Sequence, residues 1–307
     1  MRARVLNLPV VAGAAAALLV AASGASAARP PIAFERVEGS GSATTRNVFT
    51  AEPPAAGMFQ VTHDPAPKTN RAPDWAPKRN RMVFVSDRGG LIKLWTIRAD
   101  GTGLKRLTKG EPIDDDPSWS PNGKRIAFAR LGRVVGGEDV FDVYTIRRDG
   151  THLHRVSQGK PEASAPDWSP AGDRIAFLRG ANSPSQVFTM RPDGTGLRKL
   201  TSVANGAAAP SWSPNGKLIA FATNVGQTSK IFVVPAAGGP VRKVTHGQTT
   251  FDIDPAWSPS SHRIVFTTAR AGVPGTAIDS IAVDGSDRRQ LLGDPSGRVR
   301  FGSPSWG

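Results

Sequence analysis

Cysteine is absent from all 307 positions of the sequence. That excludes disulfides, thiolate metal sites, a cysteine nucleophile and an N-terminal lipidated cysteine. Familiar catalytic signatures are missing as well. There is no G-x-S-x-G elbow, and none of the five histidines (His63, His152, His154, His246 and His262) belongs to an H-E-x-x-H pair. Acidic residues are in short supply, 25 against 39 Lys and Arg, for a net charge of +14. Beyond the first 28 residues no second long apolar run occurs, which predicts no further membrane span.

Those first 28 residues read as a secretory signal: a basic "MRAR", an apolar "VLNLPVVAGAAAALLVAASG" and small residues in "ASAA", with cleavage after Ala27 or Ala28. The alternative is a retained N-terminal anchor, since the apolar stretch nears spanning length. Cleavage would leave +12, because Arg2 and Arg4 go with the signal. A basic exported protein meets anionic cell-surface polymers or lipid head groups, and export argues against nucleic acid. A composition of 39% hydrophobic and 21% charged residues is that of a globular chain, and 33 Gly with 26 Pro punctuate many short strands.

One phrase organises the rest. "PSWSPNGKRIAFAR" from Pro117 returns as "PSWSPNGKLIAFAT" from Pro210, with looser copies from Pro73, Pro166 and Pro255. Trp75, Trp119, Trp168, Trp212, Trp257 and Trp306 are spaced 44, 49, 44, 45 and 49 residues apart, and Phe84, Phe128, Phe177, Phe221 and Phe266 follow the first five by nine. Each unit reads as four short strands: "P-x-W-S", then "RIAF" after a tight turn, then "VYTIR" or "VFTMR", then "LKRLT" or "LHRVS" after "DGT". Asn-Gly and Asp-Gly between apolar runs are strong hairpin signals, and four strands in about 45 residues is the size of a propeller blade. Phe34 lacks a preceding tryptophan and Trp306 lacks a following phenylalanine, so the two ends complete one unit. The expectation is an all-β, six-bladed propeller over 29–307, closed by the C-terminal strand on the N-terminal blade. Its units are 29–72 with 302–307, 73–116, 117–165, 166–209, 210–254 and 255–301.

Most repeated residues read as structural. Trp and Phe pack between blades, Pro and Gly set turns, and basic pairs (Lys105–Arg106, Arg198–Lys199, Arg242–Lys243, Arg288–Arg289, with His154–Arg155) decorate outer edges, where charge discourages edge-to-edge pairing.

The P-x-W-S-P-x-G-x-x-I-A-F…DG unit resembles the propeller repeats of the TolB family of exported bacterial proteins, over nearly all of 29–307. The resemblance implies a periplasmic or secreted, monomeric, non-catalytic scaffold that binds an envelope protein. TolB proper carries an α/β domain ahead of its propeller, and here the first blade follows the signal directly. Propeller repeats serve many functions, so a binder of sugar, peptide or Ca2+ stands beside the scaffold, with a propeller lyase or glycosidase as a further alternative.

Candidate site residues lie in the connections that differ between copies, all on one face. "EPIDDDP" carries Asp114, Asp115 and Asp116 just ahead of a tryptophan strand, and "FDIDP" places Phe251, Asp252 and Asp254 at the matching point three units on. These carboxylates suit a hard cation such as Ca2+, a basic partner, or turn caps beside proline. The stretch 130–142 reads as a long loop with Arg133 and Asp139, and "SDRGGL" as a short turn with Asp87 and Arg88; both also fit solvated loops. "EGSGSATT" (38–45) reads as a flexible insertion.

Overall fold

A computed structural model describes residues 31–52, 57–135, 138–157, 162–180 and 184–307. The signal peptide expected at 1–28 lies outside the described residues. Apart from one 3-10 turn, Gly41–Ala43, the regular structure is all strand.

The first sheet joins β1 (Ile32–Glu38), β2 (Thr45–Ala51) and β3 (Met58–Gln60) to the C-terminal β24 (Val299–Trp306), in the order β24-β1-β2-β3. The second holds β4 (Asn70–Trp75), β5 (Arg81–Ser86), β6 (Lys93–Arg98) and β7 (Lys105–Arg106). The third holds β8 (Ile113–Trp119), β9 (Arg125–Val135), β10 (Glu138–Arg147) and β11 (His154–Arg155). The fourth holds β12 (Ala163–Trp168), β13 (Ile175–Arg179), β14 (Gln186–Met190) and β15 (Arg198–Lys199). The last is eight-stranded, joining β16 (Ala208–Trp212), β17 (Leu218–Val225), β18 (Thr228–Pro235) and β19 (Arg242–Lys243) to β20 (Thr250–Trp257), β21 (Arg263–Arg270), β22 (Ala277–Ala282) and β23 (Arg289–Leu292). Its two halves meet through a single parallel bridge, Ser229 to Phe251; among the described residues the ladders within each four-stranded unit are antiparallel, and a second parallel bridge joins Arg46 to Thr69. The C-terminal strand pairs with β1 from Ile32–Trp306 to Glu38–Val299, and the Gly307 N–H donates to the Pro31 carbonyl at 3.0 Å.

The repeated letters map onto repeated hydrogen bonds. In four repeats the serine after the tryptophan closes the first turn: Ser120 Oγ accepts the Arg125 N–H at 2.9 Å, and Ser169, Ser213 and Ser258 do the same for Arg174, Leu218 and Arg263. In the "DGT" turn, Asp100 accepts both the N–H and the hydroxyl of Thr102, as Asp149 and Asp193 do for Thr151 and Thr195. The outer strand is as short as two residues because a hydroxyl continues its work. Thr108 Oγ1 accepts the Leu94 N–H at 3.1 Å, and Ser157, Thr201 and Thr245 serve Val143, Val187 and Ile231.

Phe34, Phe84, Phe128, Phe177, Phe221 and Phe266 are fully buried. Trp119 packs with Val83, Val85 and Leu94 of the preceding sheet and with Ile126 and Phe128 of its own, so the tryptophans and phenylalanines join neighbouring sheets as expected. Each buried phenylalanine contributes about 1.5–3 kcal/mol of apolar burial.

Three expectations change. The tryptophan strands begin earlier than the phrase, at Ile113 and Thr250 for example, so Asp114–Asp116 and Phe251–Asp254 are strand residues and not loop residues. The extension was hidden because each of these strands bulges at the residue before its proline, which breaks the alternation. The register shifts lie between Arg71 and Asp74, Asp115 and Ser118, Ser164 and Asp167, Ala208 and Ser211, and Ile253 and Ala256. Second, 130–142 is mostly paired strand, with Val135 opposite Glu138 and Arg130 opposite Asp142, so Arg133 and Asp139 sit in β9 and β10. Third, 38–45 is a hairpin tip. Gly39 turns there at φ +86°, where a Cβ would lie 2.7 Å from the Ala43 carbonyl.

Candidate functional site

The innermost strand of each repeat contributes one three-residue segment to a cavity of about 190 Å³. From β4 comes Ala72–Asp74, from β8 Asp116–Ser118, from β12 Ala165–Asp167, from β16 Ala209–Ser211, from β20 Asp254–Ala256 and from β24 Ser303–Ser305. In every segment the residue before proline is left-handed although it is not glycine: φ is +48° at Ala72 and Asp116, +45° at Ala165 and Ser303, +47° at Ala209 and +51° at Asp254. Such conformations cost on the order of 1–3 kcal/mol each and persist only where the surroundings enforce them.

Carboxylates from neighbouring strands stitch this ring. Asp74 accepts the Trp119 N–H at 2.7 Å and the Ser305 hydroxyl at 3.1 Å, which ties the C-terminal strand to β4. Asp167 accepts the Trp212 N–H at 2.7 Å and the Ser118 hydroxyl at 2.9 Å. Burial pushes the Asp74 carboxyl up to about 7 and that of Asp167 up to about 6, against the pull of these donors. Asp116 rises to about 7 through burial and then through the charge of Asp115, and burial raises Asp254 and Glu35 as well. Sequence reasoning missed Asp74 and Asp167. Their signal was "PDW" where other copies write "PSW" or "PAW".

The sequence-predicted acidic run is divided by the strand alternation. Asp114 points into the protein and is fully buried, receiving Arg130 Nε at 2.6 Å and Nη2 at 3.0 Å, with Lys93 Nζ at 3.5 Å. Asp252, the equivalent residue in β20, accepts Arg288 at 3.0 Å and the Thr268 hydroxyl at 2.8 Å, with Lys230 at 3.8 Å. Lys93 and Lys230 are themselves fully buried, and burial pushes both ammonium groups down. Each reaches from the third strand of one repeat to the first strand of the next, so the Lys–Asp pairs clamp neighbouring repeats together. Asp115 is held by Arg71 through two hydrogen bonds of 2.5 and 2.6 Å. Only Asp116 and Asp254 of the five aspartates face the cavity.

Arg88 is also spent internally. It donates to Asp64 at 2.7 Å and Asn70 at 2.6 Å and lies over the rings of Phe84 and Trp95, while Asp87 accepts the Thr69 N–H at 2.8 Å. Phe251 and Ile253 alternate with the inward aspartates of β20 and are 44% and 38% exposed. The side chains of Arg133 and Asp139 lie outside the described residues. Among the described residues no three His, Asp or Glu side chains converge as metal ligands would.

A ring of four-stranded antiparallel units about an axial cavity, sealed by its last strand, defines a β-propeller. The model of the TolB beta propeller domain matches residues 60–229 and 139–294, and the chain belongs to that family. TolB from Acinetobacter baumannii is similar in structure at a TM-score of 0.77 and 18% identity, over 90% of this chain and 66% of that one. The Tol-Pal system protein TolB of Zymomonas mobilis is 42% identical over 55 residues, 18% of this chain and 12% of that protein. An oligogalacturonate lyase from Vibrio parahaemolyticus shares the fold at a TM-score of 0.56 and 10% identity, over 81% of this chain and 71% of that one. The chain spans 10 to 23% of the length of the curated relatives it matches.

Proposed function

We propose that this chain is an exported six-bladed propeller of the bacterial envelope, and that it works as a non-catalytic scaffold binding a protein partner at the cavity mouth. The six inner segments around one axis, and the single bridge between the halves of the eight-stranded sheet, support six blades over five. Membership of the TolB propeller family supports an envelope role. The observation that carries the docking face is the end of β20. There, exposed Phe251 and Ile253 stand beside Asp254, whose carboxyl faces the cavity with that of Asp116. Apolar anchors flanked by acidic groups suit a partner segment that is itself apolar and basic.

Affinity capture from a bacterial envelope extract tests this. Wild-type chain is compared with Phe251→Ala/Ile253→Ser and with Asp116→Asn/Asp254→Asn, which leave the buried Asp114 and Asp252 clamps intact. A protein retained by wild type and lost by either variant supports the reading. Equal retention by all three sinks the docking face, and turnover of pectic or other acidic oligosaccharides would sink the non-catalytic role. Ca2+ forms no part of this reading, so its addition should leave the melting temperature unchanged.

A further inference from the structure

The opposite end of the propeller carries a feature that the docking reading leaves unused. In an antiparallel four-stranded sheet the first and third turns emerge together, so the "PNGK" and "DGT" turns share one face, away from Phe251. At the same register of three successive repeats this face presents a leucine to water: Leu104, Leu153 and Leu197 are 44%, 45% and 48% exposed. A single exposed leucine is unremarkable, but three at one repeat position form a pattern. Each is set in a basic stretch. Residues 98–106, 147–155 and 191–199 each hold three Arg or Lys against one Asp. Those aspartates, Asp100, Asp149 and Asp193, are the turn caps that accept Thr N–H and hydroxyl groups.

The turns form a continuous arc, because each leans on the repeat before it. A Cβ on Gly150 would lie 3.0 Å from the Leu107 carbonyl at the end of the preceding outer strand. Leu153 and His154 line one hollow together with Pro192 and Asp193 of the following turn. Ile32 pairs with Trp306 at this same end of its sheet, so Pro31 enters the propeller on this face.

We infer that this face lies on an anionic lipid surface, with Leu104, Leu153 and Leu197 entering the head-group boundary and the surrounding Lys and Arg contacting lipid phosphates. The cations alone would suit any polyanion. The leucines discriminate, because a soluble polyanion offers them nothing to bury against, whereas a bilayer interface takes up both.

The test is flotation of the full chain with vesicles of phosphatidylglycerol and phosphatidylcholine, against phosphatidylcholine alone, at low ionic strength. Two triple variants are compared, Leu104→Asn/Leu153→Asn/Leu197→Asn and Lys105→Gln/Arg198→Gln/Lys199→Gln; all six residues are exposed. Each variant should weaken binding to the anionic vesicles by roughly tenfold or more. Flotation with phosphatidylcholine alone reads what the N-terminal apolar run contributes, and the variants are compared on the additional binding to anionic vesicles. Hydrogen exchange on vesicle-bound chain reads the face directly: amides of 98–106, 147–155 and 191–199 should slow. Failure to bind anionic vesicles, or unchanged exchange in these turns, overturns the inference. So does a leucine variant that binds as wild type while dextran sulfate displaces both, which would assign the charge to a soluble polyanion.

Discussion

Replacing Asp114 with asparagine separates a clamp from a ligand site. Its carboxylate has no exposed surface and balances Arg130, through bonds of 2.6 and 3.0 Å, and Lys93 at 3.5 Å. Asparagine keeps the shape and leaves two buried cations without a counter-charge. Breaking a buried pair this way costs about 3–5 kcal/mol. Lys93 can relieve part of the loss by releasing its proton, since burial already holds its ammonium low, so the lower end is expected. For a domain of this size that is a fall in melting temperature of about 5 °C. Asp116→Asn, two residues away, should behave differently. Burial and the neighbouring Asp115 push its carboxyl up to about 7, so it holds its proton far more readily than a free aspartate. Asparagine is also among the residues that best tolerate the left-handed backbone required there. Thermal unfolding followed by circular dichroism at pH 7 compares the two, and the double variant Lys93→Met/Asp114→Asn should recover part of the loss. If Asp114→Asn unfolds within a degree or two of wild type, or if Asp116→Asn is as damaging, the clamp argument is wrong.

The cavity carboxylates predict how stability varies with pH. Because burial raises Asp74, Asp116 and Asp167 from 3.8 to between about 6 and about 7, their protonated forms suit the folded chain. Their stabilising contribution is complete below about pH 4 and is lost as pH rises toward 7. Stability should therefore fall between pH 5 and pH 8 by about 1–3 kcal/mol per group, read as a falling melting temperature, and Asp74→Asn/Asp167→Asn should flatten that slope. A profile that rises with pH and ignores the double variant contradicts the burial argument. In the core, Phe221→Ala should cost about 3–5 kcal/mol, readable as a lower urea midpoint, whereas Leu197→Ala on the rim should change it by less than about 0.5 kcal/mol.

The strand order and the closure were legible because the turn chemistry recurs in most copies: serine after four of the six repeated tryptophans, Asp-Gly-Thr in three, and a hydroxyl at the end of the outer strand in five. The inner bulges were not, since a left-handed residue before proline leaves no mark in the hydrophobic pattern. Asp114 and Asp252 looked like free carboxylates because their partners stand elsewhere in the chain. Lys93 and Lys230 precede them by 21 and 22 residues, each two residues before the aromatic of its third strand, in "IKLW" and "SKIF", an echo visible once the copies are aligned. The last basic pair was one residue out of register. Arg289 and Gln290 occupy the outer-strand positions opposite Ser280 and Asp279, and this releases Arg288 to fold back onto Asp252 and Asp279. Arg130 opposite Asp142 belonged to paired strands in a stretch that reads as a long loop.

The sheet shared by β1 and β24 also sets the order in which the molecule can be made. As the chain is synthesised, the β1 edge that will receive Val299–Trp306 waits unpaired until that strand emerges, and the Asp74 carboxylate waits for Ser305. Contacts across that separation are slow to find, and an unpaired edge invites pairing with another chain. The ring is thus most exposed just before its completion, and a nascent chain stalled a few residues short of Trp306 would present nearly the whole fold with its seam still open.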